Sequence, residues 1–357
     1  MSDQSAGAAG VESAFAASLR RLTDAAQPPT PGLLNFLSDP RASDLELFRG
    51  VWPNVPVERR RWLARRLLEA AEASVHVFYN RLFTAFLDDA DAEVRALGID
   101  GLWEAEDARL AQRFASLLRH DPEPAVRARA AVGLGTYVEL GQLERIGADV
   151  ARMALLALAD AAGDESEEPE VRRRATESAG YGDYKDTGNL IEAAIDSHVP
   201  AMRAAALRAM GNSADDRWEP EVLARLDDRL PEIRFEAAHA AGELTLAAAV
   251  PALVALLDDA DREVSGEAVW ALGEIGGEAA GAALHDLLAE ADDPELEQAI
   301  EDALAAMTLS DGELPWSDLF ERAPGAYDGP GHTYDAENDE NDEDDEDDED
   351  DGLEVCF

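Results

Sequence analysis

The chain has 357 residues, with 77 acidic side chains against 30 basic ones and a formal charge of −47. That excess argues against nucleic-acid binding, because affinity for phosphates comes largely from Lys and Arg releasing counterions. A single cysteine, Cys356, excludes an intrachain disulfide framework and a cysteine-based zinc site, and no apolar run reaches the length of a membrane span.

Residues 1–12 are small and polar and are expected to be disordered. From 13 to 78 the pattern predicts a helical N-terminal cap of segments broken by prolines, at 14–26, 33–37, 44–51 and 58–78. A different order begins near 79. Apolar anchors stand at Val94, Val126, Val171, Met202, Ile233, Val264 and Leu296, in steps of 32, 45, 31, 31, 31 and 32 residues. A fixed period near 31 specifies a stacked array of units.

Each anchor opens a helix. Ala130, Ala175, Ala206, Ala237 and Ala268 follow four residues on and share the anchor's face, where small side chains let a neighbouring helix approach. Gly135, Gly180, Gly211, Gly242 and Gly273 follow nine residues on and are expected to end the helix in the left-handed conformation. Prolines at 124, 169, 200, 231 and 294 suit the first helical turn. A second apolar stretch precedes each anchor, as at 82–87, 191–195, 222–226 and 250–257, and ends in an acidic turn. Each period is therefore helix, acidic turn, helix, and burial must come from neighbour on neighbour.

The 45-residue step is read as a lengthened first helix at 143–159 plus an acidic loop at 163–168. The last unit has Glu297 for the usual Arg and Ala305 for the usual Gly, as a capping unit would. The array is expected to span 79–309, followed by a linker at 310–334 and an acidic, disordered tail at 335–357. Within that end lie two apolar clusters, Leu314 with Trp316, Leu319 and Phe320, and Leu353 with Val355, Cys356 and Phe357.

The segments P-E-I-R-F-E-A-A-H-A-A-G-E-L (231–244) and A-V-P-A-L-V-A-L-L-D-D (249–259) resemble HEAT repeats, of the short kind named after the phycobilisome-lyase-like proteins. The resemblance covers roughly 79–307, with a weaker unit at Val57. It implies an all-α fold, a right-handed α-solenoid of stacked antiparallel helix pairs. It also implies a structural ladder of carboxylates and arginines along the turns, here Asp196, Arg203, Asp227, Arg234 and Asp258. The family serves many roles, so it does not fix one.

Function must then come from the exposed edge of the second helices, expected to line a concave surface at positions three, six and ten after each anchor. That edge includes Arg174, Glu177, Tyr181, Arg208, Glu236, His239, Glu267 and Trp270, with the aromatic and Arg content of binding hot spots. The expectation is a non-enzymatic scaffold that binds a protein or peptide, a basic one fitting the carboxylates. The alternative is an enzyme or enzyme accessory of a HEAT-like lyase or DNA-glycosylase type. No catalytic residue, cofactor or metal site is predicted: the six histidines lack ligand spacing and no phosphate-loop, zincin or nucleophile-elbow motif occurs. The arginines at 59–61, 65, 66 and 172–174 are read as counterweights to nearby carboxylates. One lysine, Lys185, among the basic residues fits a salt-rich cytoplasm or a GC-rich genome, and a cytoplasmic location is expected.

Overall fold

The computed structural model describes residues 13–310, apart from 25, 28 and 29. The expectations for 1–12, for the linker and tail from 311 onward, for their apolar clusters and for Cys356 lie outside the described residues. The described residues form helices and turns, with no strand among them. In chain order the helices are α1 (Ala14–Thr23), α2 (Ala42–Val51), α3 (Val57–Glu72), α4 (Asn80–Phe86), α5 (Ala92–Asp100) and α6 (Ala108–His120). Then come α7 (Pro124–Gln142), α8 (Ala148–Gly163), α9 (Pro169–Ala179), α10 (Tyr184–Ile195), α11 (Pro200–Asn212) and α12 (Glu219–Arg225). The last are α13 (Pro231–Glu243), α14 (Val250–Leu256), α15 (Arg262–Ile275), α16 (Glu278–Glu290) and α17 (Pro294–Ser310).

Odd-numbered helices from α3 to α17 pack one on the next, and from α4 onward each even-numbered helix packs on the odd one that follows it. The start signals are legible in the chain. Proline is the first residue of α7, α9, α11, α13 and α17, where its missing N–H costs nothing. Helices α5 and α15 begin instead on Asp91 and Asp261, whose carboxylates accept from the backbone N–H of Val94 and Glu263. Anchors Val94, Val126, Val171, Met202, Ile233 and Val264 are buried, as are the five alanines four residues beyond. The apolar interior nevertheless falls into two clusters, one running from Phe15 to Ala179 and the other from Ile191 to Met307.

Four of the five glycines do not stop their helices, and the fifth, Gly180, caps α9 without the left-handed conformation. None of the five has positive φ, and Gly135, Gly211, Gly242 and Gly273 lie inside their helices. They are where consecutive odd helices touch. A Cβ on Gly180 would fall 2.5 Å from the Ala209 Cα, one on Gly211 3.1 Å from the Ala240 Cα, and one on Gly273 2.9 Å from the Ala303 Cα. Real Cβ atoms do not tolerate the shorter of these, so glycine there serves close backbone approach. The left-handed residue comes three positions later, at Ala214 (φ 49°), Thr245 (φ 49°) and Gly276 (φ 68°). At α13 the closure is a Schellman turn, in which Leu246 N–H donates to the Ala241 carbonyl at 2.9 Å.

The 45-residue step is also divided differently from the expectation. Because Gly135 does not terminate α7, that helix runs on for 19 residues to Gln142, and α8 starts only at Ala148. The extra length is shared between both helices of the junction.

The ladder exists in a register shifted by one residue. Asp89, Asp121 and Asp259, five residues before their anchors, fold back to accept from the backbone N–H two residues on, at 2.7, 3.0 and 2.9 Å. The Asx turn aims the remaining oxygens at an arginine of the preceding unit. Arg95 grips Asp121 through two contacts of 2.7 Å, and Arg234 grips Asp259 in the same way. Arg127 does so with Glu167 at 2.7 and 2.9 Å. Asp196, Asp227 and Asp258 hold none of these arginines among the described residues, and Arg203 donates to the Ser197 carbonyl at 3.1 Å. Ser197 stands where the other units place the turn carboxylate, and Arg172 of the unit before it turns to the Ala162 carbonyl at 3.1 Å. Of the expected ladder residues, Arg234 pairs with a turn carboxylate, that of Asp259 rather than Asp258.

The Arg-rich face of α3 is engaged throughout. Arg59 donates to the Asp24 and Gln27 carbonyls, Arg60 to Asp89, and Arg61 to Asp91 at 2.7 Å, while Arg65 and Arg66 meet Glu93 and Glu69. Asp89 also accepts the Trp52 indole N–H at 2.6 Å, which ties the helices before α4 to the first turn of the array.

Candidate binding cleft

A cleft of about 520 Å³ opens on the face made by α7, α9, α11 and α13. Thr136 and Glu139 reach it from α7, Arg173, Arg174 and Glu177 from α9, Tyr181 from the turn after α9, Arg208 and Asn212 from α11, and Glu236, His239 and Glu243 from α13. These residues converge because the odd helices are held at glycine distance, which brings the exposed positions of four units within reach of one ligand.

Its arginines are already matched. Arg208 donates to Glu236 across the α11/α13 seam at 2.7 Å. Arg173 and Arg174 share Glu177, at 2.7 and 3.1 Å, and both also meet Glu170. Glu236 is buried, and burial raises its carboxyl pKa above the usual range although the Arg208 charge opposes the shift. Asn212 donates its amide to the Glu177 carbonyl at 3.0 Å. The unbalanced charge gathers around Tyr181. Its phenol is pushed up chiefly by burial and further by Glu139, Glu243 and Glu177, against a smaller opposite pull from Arg208. Glu139 is exposed and has no cation at ion-pair distance among the described residues. The cleft can therefore receive a cation against an aromatic ring.

Six of the eight residues expected at the binding edge line this one cleft: Arg174, Glu177, Tyr181, Arg208, Glu236 and His239. Glu267 and Trp270 stand outside it on α15. Glu267 binds the His239 Nδ1 at 2.6 Å, and Trp270 stacks on the His239 ring at 4.8 Å and 14°. Trp270 has a packing task that the sequence pattern did not suggest: a Cβ on Gly242 would come within 2.6 Å of its ring, so the indole covers the glycine seam between α13 and α15. Sequence reasoning missed Glu139, which lies beyond the point where Gly135 was expected to end α7. It also missed Trp103, which follows α5 in a turn without the repeat's spacing.

Two further clefts adjoin the first and share Thr136 with it. One, of about 420 Å³, has Leu68, Ile99, Leu102, Phe114, Val132 and Tyr137 in its lining, with Trp103 at its edge. The other includes Trp103, Glu139, Leu140 and Leu143. Among the described residues no cluster of three or more His, Cys, Asp or Glu could hold a metal ion, and no helix is long and apolar enough to cross a membrane.

Comparison with known proteins finds a family model that matches part of the chain. Residues 219–305 match the model for HEAT repeats. Curated proteins give no match. Among solved structures, human deoxyhypusine hydroxylase in complex with glycerol is similar at 22% identity and TM-score 0.32, over 83% of this chain and 96% of that one. The complex of CpcE and CpcF of phycocyanin lyase from Nostoc is similar at 18% identity and TM-score 0.42, over 64% of this chain and 94% of that one. Kap121p bound to Ste12p is similar at 14% identity and TM-score 0.41, over 86% of this chain and 36% of that one.

Proposed function

From the premise that this chain is a HEAT-repeat protein, we propose that it is a non-enzymatic scaffold whose α7–α13 cleft binds a protein segment through a basic side chain. The observation that carries this reading is the charge balance of the cleft. Arg173, Arg174 and Arg208 are taken up by Glu170, Glu177 and Glu236, while Glu139 and Glu243 flank Tyr181 and leave room for a guanidinium or ammonium group. A cation there replaces water with carboxylates and an aromatic face, the arrangement that favours Arg and Lys. Catalysis is the poorer fit, since Glu236, the buried carboxyl in the cleft, is held by Arg208 at 2.7 Å and is not free to exchange a proton with a substrate.

Peptides selected from a random displayed library against the full chain should be enriched in Arg or Lys. Glu139→Lys and Glu243→Lys should each weaken capture about tenfold or more, as opposing a charge in an interface does, with the helical circular dichroism signal unchanged. Enrichment of acidic peptides, or indifference to both substitutions, would overturn the reading.

A further inference from the structure

Trp103 is 62% exposed and Val132 46% exposed, although both border a cleft floored by buried or half-buried Ile99, Leu102, Phe114 and Tyr137. A large indole left in water beside an apolar floor is unusual in an Ala-rich array and marks an interaction surface. Val132 and Thr136 line this cleft and the acidic one alike, so the two form a continuous surface along the odd helices. The charged residues in the lining of the apolar cleft are Asp100, which is half-buried, Arg129, which it meets at 3.4 Å, and the exposed Glu72.

Resting on the cation-binding reading of the α7–α13 cleft, we propose that the α5/α7 cleft is a second subsite of the same surface and takes a large apolar side chain of the same bound segment. The occupant is thus a bipartite peptide, with one aromatic or Leu-like residue seated against Trp103 and Val132 and one Arg or Lys beside Tyr181. The separation follows from the architecture. The apolar subsite lies between α5 and α7 and the acidic one centres on α9 and α11, so roughly two helix spacings of about 9 Å part them, which an extended chain crosses in about five residues. Charge complementarity selects this occupant over the chain's own acidic tail, which would bring like charge to Glu72, Glu139 and Glu243.

The test uses the full chain and three short Gly/Ser peptides carrying a trifluoromethyl tag, with binding read by fluorine NMR. One peptide bears a single Arg, one a Trp about five residues from the Arg, and one a Trp directly beside the Arg. The separated pair should bind about tenfold or more tightly than Arg alone, as a buried aromatic anchor does, and the adjacent pair should not. Trp103→Ala should erase that gain and leave the Arg-only peptide unaffected, since Trp103 does not line the acidic cleft. The position is exposed, so the variant does not endanger the fold. Equal gain at both spacings, or a gain that survives Trp103→Ala, overturns the second subsite while the Arg-only binding upholds the acidic cleft. Failure of the Arg-only peptide to bind sinks the acidic cleft instead. Tighter binding after deletion of 312–357 would mean that the tail occupies the subsite, and loss of a dimer on Trp103→Ala would mean that a second copy does. Either result overturns the peptide assignment.

Discussion

Thr245 shows how much a single backbone angle can carry. It sits at φ 49° just past α13, a conformation that a β-branched side chain resists, because its Leu246 neighbour must close the Schellman turn onto Ala241. The equivalent residue after α15 is Gly276. Thr245→Gly should therefore raise stability by about 0.5–1 kcal/mol, the relief of strain exceeding the added entropy of the unfolded chain. Urea unfolding followed by circular dichroism would measure it, and a loss of stability would refute the strain. The same residue explains why glycine nine residues after the anchor is a deceptive signal. Helix terminators are commonly glycine, yet its use here is contact with the next unit, a partner that no local pattern reveals. Trp270 deceives for the same reason, its need arising from Gly242 on another helix.

At the scale of elements, the sequence carried the existence and order of the helix pairs, though not the bounds of α7 and α8, because period, proline placement and apolar face are local properties. It carried the turns only approximately. A carboxylate on either side of a turn looks alike in one dimension, and only the Asx turn made by Asp259 decides which oxygen faces Arg234. Arg234 holds the Asp259 carboxyl below its usual range, with the backbone N–H of Asp261 adding to the effect. A carboxylate whose folded-state value is depressed lends stability that is complete above its unfolded value, near 3.9, and is lost as pH falls through the folded value. Asp259→Asn should cost about 2 kcal/mol at neutral pH, the worth of a charge-assisted pair. The gap from the parent should close as pH drops below about 4. Chemical denaturation across that range tests it, and a gap that does not narrow as pH falls below about 4 would refute the pairing.

For the whole molecule, a net charge of −47 predicts that self-repulsion outweighs the other effects of charge. Residues 335–351 hold 14 of the acidic side chains, under a third of the net excess, so the remainder of the chain is itself strongly negative. Raising KCl from low concentration to about 1 M contracts the Debye length to roughly 3 Å and should raise the melting temperature, because relief of long-range repulsion exceeds the screening of buried, bidentate pairs such as Arg95 with Asp121. Differential scanning calorimetry would show it, and a melting temperature that falls with salt would mean that the ion pairs dominate. Composition made this legible before any coordinates. The cleft was legible in large part, since ten of its thirteen lining residues fall on the repeat's own spacing, whereas Glu139, and Trp103 in the adjoining cleft, reach the surface through an overlong helix and an irregular turn.

The buried apolar residues fall into two clusters, parted between Ala179 and Ile191, and neighbour-coupled arrays divided in this way are expected to unfold in two steps. At this junction Ser197 stands in place of a turn carboxylate and Arg172 turns to the Ala162 carbonyl, so the clasp that Arg95, Arg127 and Arg234 make is missing there. The α7–α13 cleft straddles that joint. Whatever fills it splints one block to the other, and a protein that unfolds in two steps when empty should unfold in one when its groove is saturated.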